Sequence, residues 1–323
     1  MFLNIILLIV SLAMILFGAG WLTDGGSALA KRMGLSEMMI GLTIVAFGTS
    51  APELVISVAS AIEGNAGLAI GNVVGSNIAN VLLIIGITAM VRPIHVGRSV
   101  LSNEMPLVIL CSVALLACGN TGLLDGLPDA VTRVDGILLL LFFCIFMRYT
   151  FAQAKAVPEG AAATEPEKPT KEVPLWRALV FIALGLGALI WGGDIFVDSA
   201  SSLASEIGVS DAIIGLTVVA LGTSLPELAT SVVAAAKGHS DMAVGNVIGS
   251  CIFNILFVLG CSAVVRPLPL GGVTNFDLLT MTAAAVLFWA SGWLIGHRVI
   301  TRGEGALFTV LYIAYTVMLI IQA

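Results

Sequence analysis

The chain has 323 residues, of which 59% are hydrophobic and 11% are charged, and its formal net charge at pH 7 is −6. Soluble domains carry roughly 25% charged residues, so this composition excludes an ordinary soluble protein and predicts an all-α protein that crosses a membrane many times. The acidic balance, with no basic patch in the sequence, also argues against nucleic acid as a partner.

Ten apolar stretches follow one another along the chain, and each is long enough to span a bilayer with some tilt. The first does not resemble a cleaved signal peptide, because it has no basic region before the apolar run and no small-residue cleavage site. We therefore predict ten transmembrane helices, at positions 2–22, 37–62, 66–91, 104–120, 134–151, 175–198, 211–236, 241–265, 275–296 and 304–321.

The ten stretches fall into two groups of five. Residues 152–174 lie between the groups, are rich in Ala, Pro, Glu and Lys, and show no apolar periodicity. This is the composition of a linker without packed structure of its own. The predicted organisation is a five-helix unit at 1–151, a linker at 152–174 and a second five-helix unit at 175–323.

One phrase occurs in both units. GLTIVAFGTSAPE at 41–53 returns as GLTVVALGTSLPE at 215–227, and the similarity runs without a gap to a VRP triplet at the end of each copy. Similarity this dense indicates an internal duplication, with the repeated segments at 37–91 and 211–265. Because each unit has an odd number of spans, the second crosses the membrane in the opposite direction, so we predict two inverted five-helix repeats.

Each copy of the phrase places a carboxylate, that of Glu53 or Glu227, inside an apolar segment. A charged side chain in hydrocarbon costs several kcal/mol, so a glutamate repeated at this depth indicates a functional site. The phrase also breaks its own helix, because the proline before each glutamate lacks an N–H and clashes with the carbonyl four residues back. We therefore expect unpaired backbone carbonyls near Ala46 to Gly48 and near Ala220 to Gly222, facing a cavity.

Hydroxyl groups lie within one turn of each carboxylate. Together with the carboxylates and the freed carbonyls they form two clusters of hard oxygen ligands, which suit Ca²⁺, Na⁺ or Mg²⁺ rather than soft metals. The five cysteines form no CxxC pair and lie in apolar stretches, where they act as small hydrophobic side chains. No resident cofactor is therefore predicted. The hydroxyl-bearing residues are Thr49, Ser50, Thr223 and Ser224.

A second repeated phrase follows each glutamate, GNVVGSNIAN at 71–80 and GNVIGSCIFN at 245–254. Its polar residues recur every four positions and form one stripe along each helix. Two interpretations remain open: the stripes hydrogen-bond between helices, or they face the glutamates and supply further oxygen ligands. Asn77 corresponds to Cys251, so this position is not an essential ligand in both halves. The stripe residues are Asn72, Ser76 and Asn80 in the first copy and Asn246, Ser250 and Asn254 in the second.

Basic residues are distributed unevenly between the two sides of the predicted bundle. The loops on the side of the central linker hold all of them except Arg133 and Arg266. Basic residues favour the cytoplasmic side, so the linker is predicted to be cytoplasmic and both termini to face outward. The opposite loops are acidic, which either concentrates cations at the mouth of a pathway or reflects ordinary solvated loop ends.

The paired GTSxPE and GNxxGSNxxN phrases resemble the α-repeats of the calcium/cation antiporter superfamily and are most similar to its prokaryotic sodium/calcium exchanger branch. The resemblance covers the whole chain. It implies inverted halves with broken helices at a central ion site, a cytoplasmic connection, and a place in the inner membrane of a prokaryote. It also implies exchange of Ca²⁺ for Na⁺ by alternating access, with both ions bound as substrates.

The resemblance also implies a ligand set. The two α-repeat glutamates of the family bind the transported cations, and they correspond to Glu53 and Glu227. The amide ligand corresponds to Asn80, and Asn254 stands where some members have an aspartate, which leaves two central carboxylates instead of three. The hydroxyl and carbonyl ligands correspond to Ala46, Thr49, Ser50 and Ser76 in the first repeat and to Ala220, Thr223, Ser224 and Ser250 in the second.

Other functions remain open from the sequence. A proton-coupled calcium exchanger of the same superfamily is the nearest, because two carboxylates are neutralised by one Ca²⁺ or by two protons. A cation channel would not explain an inverted duplication with broken helices. A hydrolase would need a base beside Ser50 or Ser224, and no histidine or lysine lies near them, so we expect no enzyme. The expected partners are Ca²⁺, Na⁺ and the lipid bilayer, with H⁺ in the alternative and no obligate protein partner.

Overall fold

The protein is seen in a computed structural model that describes residues 2–126, 128–155, 173–206, 220–295 and 298–322, and most of them are helical. The helices of the first half are α1 (Phe2–Met33), α2 (Glu37–Thr49), α3 (Ala51–Glu63), α4 (Ala66–Val91), α5 (Val100–Cys118), α6 (Thr121–Asp125) and α7 (Arg133–Lys155). Those of the second half are α8 (Leu175–Glu206), α9 (Ala220–Gly222), α10 (Leu225–Lys237), α11 (Ser240–Val265), α12 (Asn275–Ala290) and α13 (Arg302–Gln322).

Eight of the described helices are long and apolar enough to cross a membrane, and the pair α2 and α3, bent by 46°, makes a ninth span if it is counted as one. The predicted span at 211–236 falls partly on residues 207–219, which lie outside the described part of the chain, and α9 and α10 are its described remainder. Most of the predicted linker at 152–174 lies outside that part as well. The described fold is that of a multi-span helical membrane protein.

Two helices extend beyond the apolar stretches that predict them. The sequence predicts the first helix at 2–22, but α1 continues to Met33 and ends where Gly34 adopts the left-handed conformation, with φ 64°. The sequence predicts that α8 ends at 198, but it reaches Glu206. An apolar window detects only the hydrocarbon-spanning part of a helix, whereas α1 and α8 pack against each other over a greater length.

Wider π-helical turns interrupt several helices. Two of them lie at equivalent places in α4 and α11, and they contain Asn80 and Asn254 of the polar stripes. Such turns inside α-helices are frequent at functional sites. In the described ranges the π-helical turns occupy Gly41–Val45, Ala79–Ile84, Val100–Glu104, Asn254–Val258 and Ser291–Ile295.

Glycine allows two helix pairs to cross at very short distances. A Cβ at Gly185 of α8 would lie 2.6 Å from a backbone nitrogen of α1. A Cβ at Gly41 of α2 would lie 2.5 Å from the carbonyl oxygen of Met242, and one at Gly245 of α11 would lie 2.5 Å from that of Met38. Small residues of this kind let helix backbones approach closely in membranes. The crossing of α2 and α11 brings the two repeated phrases together.

Four two-residue strands join loops at the two ends of the bundle. Strand β1 (Ile94–His95) pairs antiparallel with β4 (Val299–Ile300), and β2 (Ala130–Val131) pairs antiparallel with β3 (Leu268–Pro269). We call the end with β1 and β4, where α1 finishes, the linker end, and the end with β2 and β3, where α1 begins, the terminal end. Loops that the sequence assigns to one side of the membrane therefore share one end of the bundle.

The glycine crossing of α1 and α8 is testable by adding one methyl group. Gly185→Ala should destabilise the protein by about 1–3 kcal/mol, the usual cost of overpacking. Gly187 is the matched control in the same helix, because a Cβ there would meet only a ring atom of Trp191 at 3.9 Å. Gly187→Ala should be neutral or stabilising, since alanine favours a helix over glycine by about 1 kcal/mol. Thermal unfolding in detergent measures both, and equal melting temperatures would contradict the crossing.

Candidate functional site

The two glutamates lie at equivalent breaks in the helices. Glu53 is in the first turn of α3 and Glu227 in the first turn of α10. At each break a serine leaves the helical conformation, with ψ 11° at Ser50 and ψ 2° at Ser224. Each glutamate is 1% exposed, and the unpaired N–H groups at a helix N-terminus favour a negative side chain there. The breaks thus put both carboxylates in the protein interior, each at a favourable helix end.

The backbone at the first break is better paired than the sequence predicts. The carbonyl of Ala46 accepts a hydrogen bond from the amide of Ser50 at 3.0 Å, so the expectation that it is unpaired is wrong. Pro52 lacks an N–H group, but it comes two residues after Ser50, so the hydrogen-bonded turn from Ala46 to Ser50 is already complete. At the second break the amide of Ser224 bonds the carbonyl of Leu221 at 3.1 Å, one residue later than in the first. This turn is tighter than the one at the first break.

Hydroxyl groups of each half reach the carboxylate of the other half. Ser50 donates to Oε1 of Glu227 at 2.7 Å and lies 2.9 Å from the hydroxyl of Ser250. Ser250 lies 3.5 Å from the same carboxylate oxygen. The hydroxyl of Thr223 in turn contacts the carboxylate of Glu53. The sequence predicts two clusters of oxygen ligands, and the crossing of the helices merges them into one shared site.

Two members of the polar stripes donate hydrogen bonds to the backbone of the glutamate-bearing turns. Asn72 donates to the carbonyl of Glu53 at 3.1 Å and to the hydroxyl of Ser57 at 2.9 Å. Its counterpart Asn246 makes the equivalent two bonds in the second half, at 3.4 Å and 3.0 Å. For these two residues the first of the two open interpretations, hydrogen bonding between helices, is therefore correct.

The other stripe residues lie next to the carboxylates or close to the centre. Ser76 lies 3.4 Å from Oε1 of Glu53, as Ser250 does from Glu227. Asn80 and Asn254 are each 1% exposed, and their side-chain oxygens have no hydrogen-bond partner in the described part of the chain. Nδ2 of Asn254 lies 3.5 Å from Oδ1 of Asn77. This contact turns the oxygen of Asn254 away from Asn77.

Five buried oxygens of the predicted ligand set have no hydrogen-bond partner among the described residues. Leaving such a group unsatisfied costs about 1–3 kcal/mol, and native proteins contain few of them. They come from both repeats, and carboxylate, hydroxyl and amide oxygens are the donors that a hard cation such as Ca²⁺ takes. The five are Oε2 of Glu53, Oε2 of Glu227, Oδ1 of Asn80, Oδ1 of Asn254 and Oγ of Ser224.

Comparison with known proteins identifies the family. The model of the sodium/calcium exchanger protein family matches residues 3–152 and 177–321. The chain belongs to this family. It is 35% identical to the inner membrane protein YrbG of Escherichia coli, with 97% of this chain and 95% of that protein covered. It is 31% identical to the sodium/calcium exchanger MaX1 of Methanosarcina acetivorans, with 98% of each covered.

The fold of this exchanger also matches a solved structure. The sodium-calcium exchanger NCX_Mj superposes with a TM-score of 0.83 at 29% sequence identity, covering 98% of this chain and 99% of that one. Family and fold are therefore those of membrane transporters and not of enzymes, and the resemblance seen in the repeated phrases is confirmed.

A cavity of about 270 Å³ opens beside the site of the exchanger. Pro52 and Thr223 of the two breaks line it together with Asp194 and Asp198 of α8. These two aspartates lie on the part of α8 that runs toward Glu206, so the cavity extends from the site toward the terminal end. Asp194 has Gly20 as its repeat counterpart, so the repetition that identifies the other site residues gives no signal for it.

Polar contacts join α1 to its neighbours toward the linker end. Nζ of Lys237, the last residue of α10, lies 2.6 Å from the carboxylate of Asp24 and 3.1 Å from the carbonyl of Gly20. Glu37, the first residue of α2, accepts from Ser27 at 2.8 Å and lies 2.7 Å from Nδ1 of His239. These polar contacts tie α1 to α10, to α2 and, through Glu37, to the start of α11 near the linker end.

Sequence reasoning missed two residues that support the glutamates, Ser57 and Ser231. Each lies one turn after a glutamate and receives the amide of a stripe asparagine. They stand at the same position of the two repeats, as Glu53 and Glu227 do. That repetition is the signal that identifies them, because a serine at one such position alone is not informative.

The two break serines differ in the free protein, and this difference is testable. Ser50→Ala removes a hydrogen bond to a buried carboxylate, whereas Ser224 has no such partner in the described part of the chain. Without added Ca²⁺ or Na⁺, Ser50→Ala should lower the free energy of unfolding by about 1–3 kcal/mol, and Ser224→Ala should not lower it. Chemical unfolding in detergent measures both. Equal destabilisation by the two variants would contradict the described contacts.

Proposed function

We propose that the protein exchanges Ca²⁺ for Na⁺ across the membrane by alternating access, with Glu53 and Glu227 binding the transported ions. The observation that carries the proposal is the group of five buried oxygens, contributed by both repeats, that have no hydrogen-bond partner among the described residues. A divalent ion in a low-dielectric interior needs opposite charge close by, and two carboxylates supply it. Membership of the sodium/calcium exchanger family supports cation exchange as the overall activity.

The proposed ligands around the two carboxylates are neutral oxygens. Backbone carbonyls of Ala46 and Ala220 complete the set, since a carbonyl with one hydrogen bond keeps a second lone pair. Asn254 in place of a carboxylate leaves the site with two formal negative charges. The remaining proposed ligands are the side chains of Thr49, Ser50, Ser76, Asn80, Thr223, Ser224, Ser250 and Asn254.

We further propose ten membrane spans in two inverted halves. Equivalent contacts at repeated positions support this arrangement: Asn72 and Asn246 bind the same groups in their own halves. In the proposed topology α9 and α10 end a span that corresponds to the bent pair α2 and α3. The excess of basic residues at the linker end supports a cytoplasmic position for that end, with both termini outside. The proposed location is the inner membrane of a prokaryote, as the name of the Escherichia coli relative states for that protein.

The described conformation corresponds, in this proposal, to a state open to the outside. The cavity beside the site extends toward the terminal end, and the contacts of Lys237 and Glu37 hold the helices together toward the linker end. Rocking of one helix group against the other around a fixed site would close the pathway to the terminal end and open one to the linker end. The pair α1 and α8 is suited to move as one body because the two helices pack closely along their length. Asp194 and Asp198 of α8 at the cavity and Asp24 of α1 near the linker end would then move together.

Charge explains why the protein should exchange ions and not leak them. An empty site holds two uncompensated carboxylates, and moving them through a dry barrier carries much of the penalty for buried unpaired ions. One Ca²⁺ neutralises the pair, as do two Na⁺. Only loaded states should therefore interconvert readily, which couples the flux of one ion to that of the other.

Proton coupling is the second candidate, because two protons also neutralise the two carboxylates. The name of the relative MaX1 is that of a sodium/calcium exchanger, and this favours Na⁺. The two candidates differ in what drives uptake. An imposed Na⁺ gradient at fixed pH drives Ca²⁺ uptake in the first, and an imposed pH gradient without Na⁺ drives it in the second.

Transport in sealed vesicles tests the proposed activity. Proteoliposomes loaded with Na⁺ and diluted into Na⁺-free medium should take up radioactive Ca²⁺, whereas acid-loaded vesicles without Na⁺ should not. Vesicles loaded with radioactive Ca²⁺ and diluted into choline medium should retain it until Na⁺ or Ca²⁺ is added outside. Equally fast loss in choline alone would mean a uniporter or a channel and would overturn the exchange mechanism.

Charge-removing variants test the two glutamates. Glu53→Gln and Glu227→Gln should each abolish Ca²⁺ uptake, because each removes half of the charge that compensates a divalent ion. The same variants should remain monodisperse in detergent, since glutamine has nearly the shape of glutamate. Uptake near the wild-type rate by either variant would disprove its assignment.

Accessibility of single cysteines tests the topology. In a background without the native cysteines, Glu165→Cys in the linker should react with a membrane-impermeant thiol reagent only from the cytoplasmic side. Asp125→Cys should react only from the outside. Reaction of both from the same side would refute the inverted ten-helix arrangement.

A further inference from the structure

The side chain of Asn246 connects the ligand segments of both halves. It is fully buried in α11. Its Nδ2 donates to the backbone carbonyl of Glu227 at 3.4 Å and to the hydroxyl of Ser231 at 3.0 Å. Its Oδ1 accepts a hydrogen bond at 3.2 Å from the hydroxyl of Thr49, which belongs to the first half. One amide therefore bridges the break before Glu53 and the turn that carries Glu227.

The orientation of this amide follows from its partners. A backbone carbonyl can only accept a hydrogen bond, so the carbonyl of Glu227 requires the NH₂ group of Asn246 on its side. The oxygen of the amide must then point the other way, toward Thr49. The hydrogen-bond network thus directs Oδ1 of Asn246 toward the first half, and this oxygen accepts a hydrogen bond from the Thr49 hydroxyl.

The position of the Thr49 proton decides what its oxygen can bind. The hydroxyl has one proton and three acceptors within reach: the carboxylate of Glu227, Oδ1 of Asn246 at 3.2 Å and the carbonyl of Ala46 at 3.4 Å. The carbonyl of Ala46 already accepts the amide of Ser50 at 3.0 Å. A cation bound by Glu227 takes up the lone pairs of that carboxylate, so donation to Asn246 is favoured in the loaded site. It leaves the lone pairs of the Thr49 oxygen, and one lone pair of the Ala46 carbonyl, available to a cation.

We propose that Asn246 is a positioning residue of the ion site, which orients the Thr49 hydroxyl so that its oxygen faces the transported cation. The inference rests on the proposed function, because it takes Thr49 as a ligand. Partners that stand behind metal ligands change metal affinity by about 10–100-fold. Asn246 should accordingly act on ion affinity through Thr49, and its loss should raise KM for Ca²⁺ more than it lowers the maximum rate.

A double-mutant cycle between Thr49 and Asn246 tests the proposal. The readouts are equilibrium binding of radioactive Ca²⁺ to purified protein and the KM and maximum rate of Na⁺-driven uptake. In the wild-type background, Thr49→Val should weaken Ca²⁺ binding by about tenfold. In the Asn246→Ala background the same change should cost no more than about twofold, because the hydroxyl is no longer oriented there and the two effects are not additive.

Two further variants separate orientation from general damage. Asn246→Asp loses the NH₂ group and adds a negative charge, but it keeps an oxygen that accepts a hydrogen bond from Thr49. Within that background Thr49→Val should therefore again cost about tenfold. Thr43→Val is the matched control in the same helix, because the Thr43 hydroxyl is buried and donates within its own helix to Met39 at 2.8 Å. It should show no coupling to Asn246. If Asn246→Ala does not yield monodisperse protein, Asn246→Leu, which has nearly the same shape and no acceptor, takes its place in the cycle.

The outcomes are distinguishable from a failure of the proposed function. If wild-type protein neither binds Ca²⁺ nor takes it up under a Na⁺ gradient, the proposed function is wrong and this inference falls with it. If wild-type exchange is intact but Thr49→Val costs the same factor in Asn246→Ala as in wild type, Asn246 does not orient Thr49 and the inference alone is wrong. An unchanged Ca²⁺ affinity in Thr49→Val would overturn it as well.

Discussion

The structure depends on the burial of two carboxylates at the centre of a membrane-spanning helical bundle. Glu53 and Glu227 are each almost completely buried, and a charge at this depth is unfavourable unless something compensates it. Helix N-termini at the two breaks, and hydroxyl groups that reach across from the opposite half, offset part of the cost. The remainder is left for a cation, since one oxygen of each carboxylate has no partner in the described chain.

The broken helices, the glycine crossings and the π-helical turns all serve to bring these groups together. A break at Ser50 starts α3 at the level of the site, and the close approach at Gly41 and Gly245 lets α2 and α11 place their polar faces side by side. The π-helical turns at Asn80 and Asn254 change which way the following side chains point. Each of these features lowers the stability of its own helix. Together they bring the buried polar groups of the two halves into contact, which explains why they occur in the same helices.

The polar stripes show how one repeated pattern acquires two roles. Asn72 and Asn246 hold the backbone of the glutamate-bearing turns, whereas Asn80 and Asn254 present oxygens without partners. The difference arises from depth along the helix, because the first asparagine of each stripe meets the neighbouring helix and the last meets the centre of the bundle. Asn246 additionally reaches Thr49 of the other half, so a supporting residue of one repeat acts on a ligand of the other.

The sequence by itself determined the class of protein, the duplication and most of the site. The composition required a membrane protein. The repetition of Glu53 as Glu227 marked two residues whose charge is unfavourable inside a membrane and therefore indicates a function, and this repetition is visible in the sequence alone. Only the tertiary structure decided that the two oxygen clusters are one site, because contacts such as Ser50 with Glu227 join residues far apart in the chain. It also decided that the Ala46 carbonyl is paired and that Asp194 lines a cavity. Pairing of the Ala46 carbonyl depends on the geometry of the turn and not only on the presence of a proline. The position of Asp194 depends on how α8 packs, and the repeat gives no signal for it because its counterpart is Gly20.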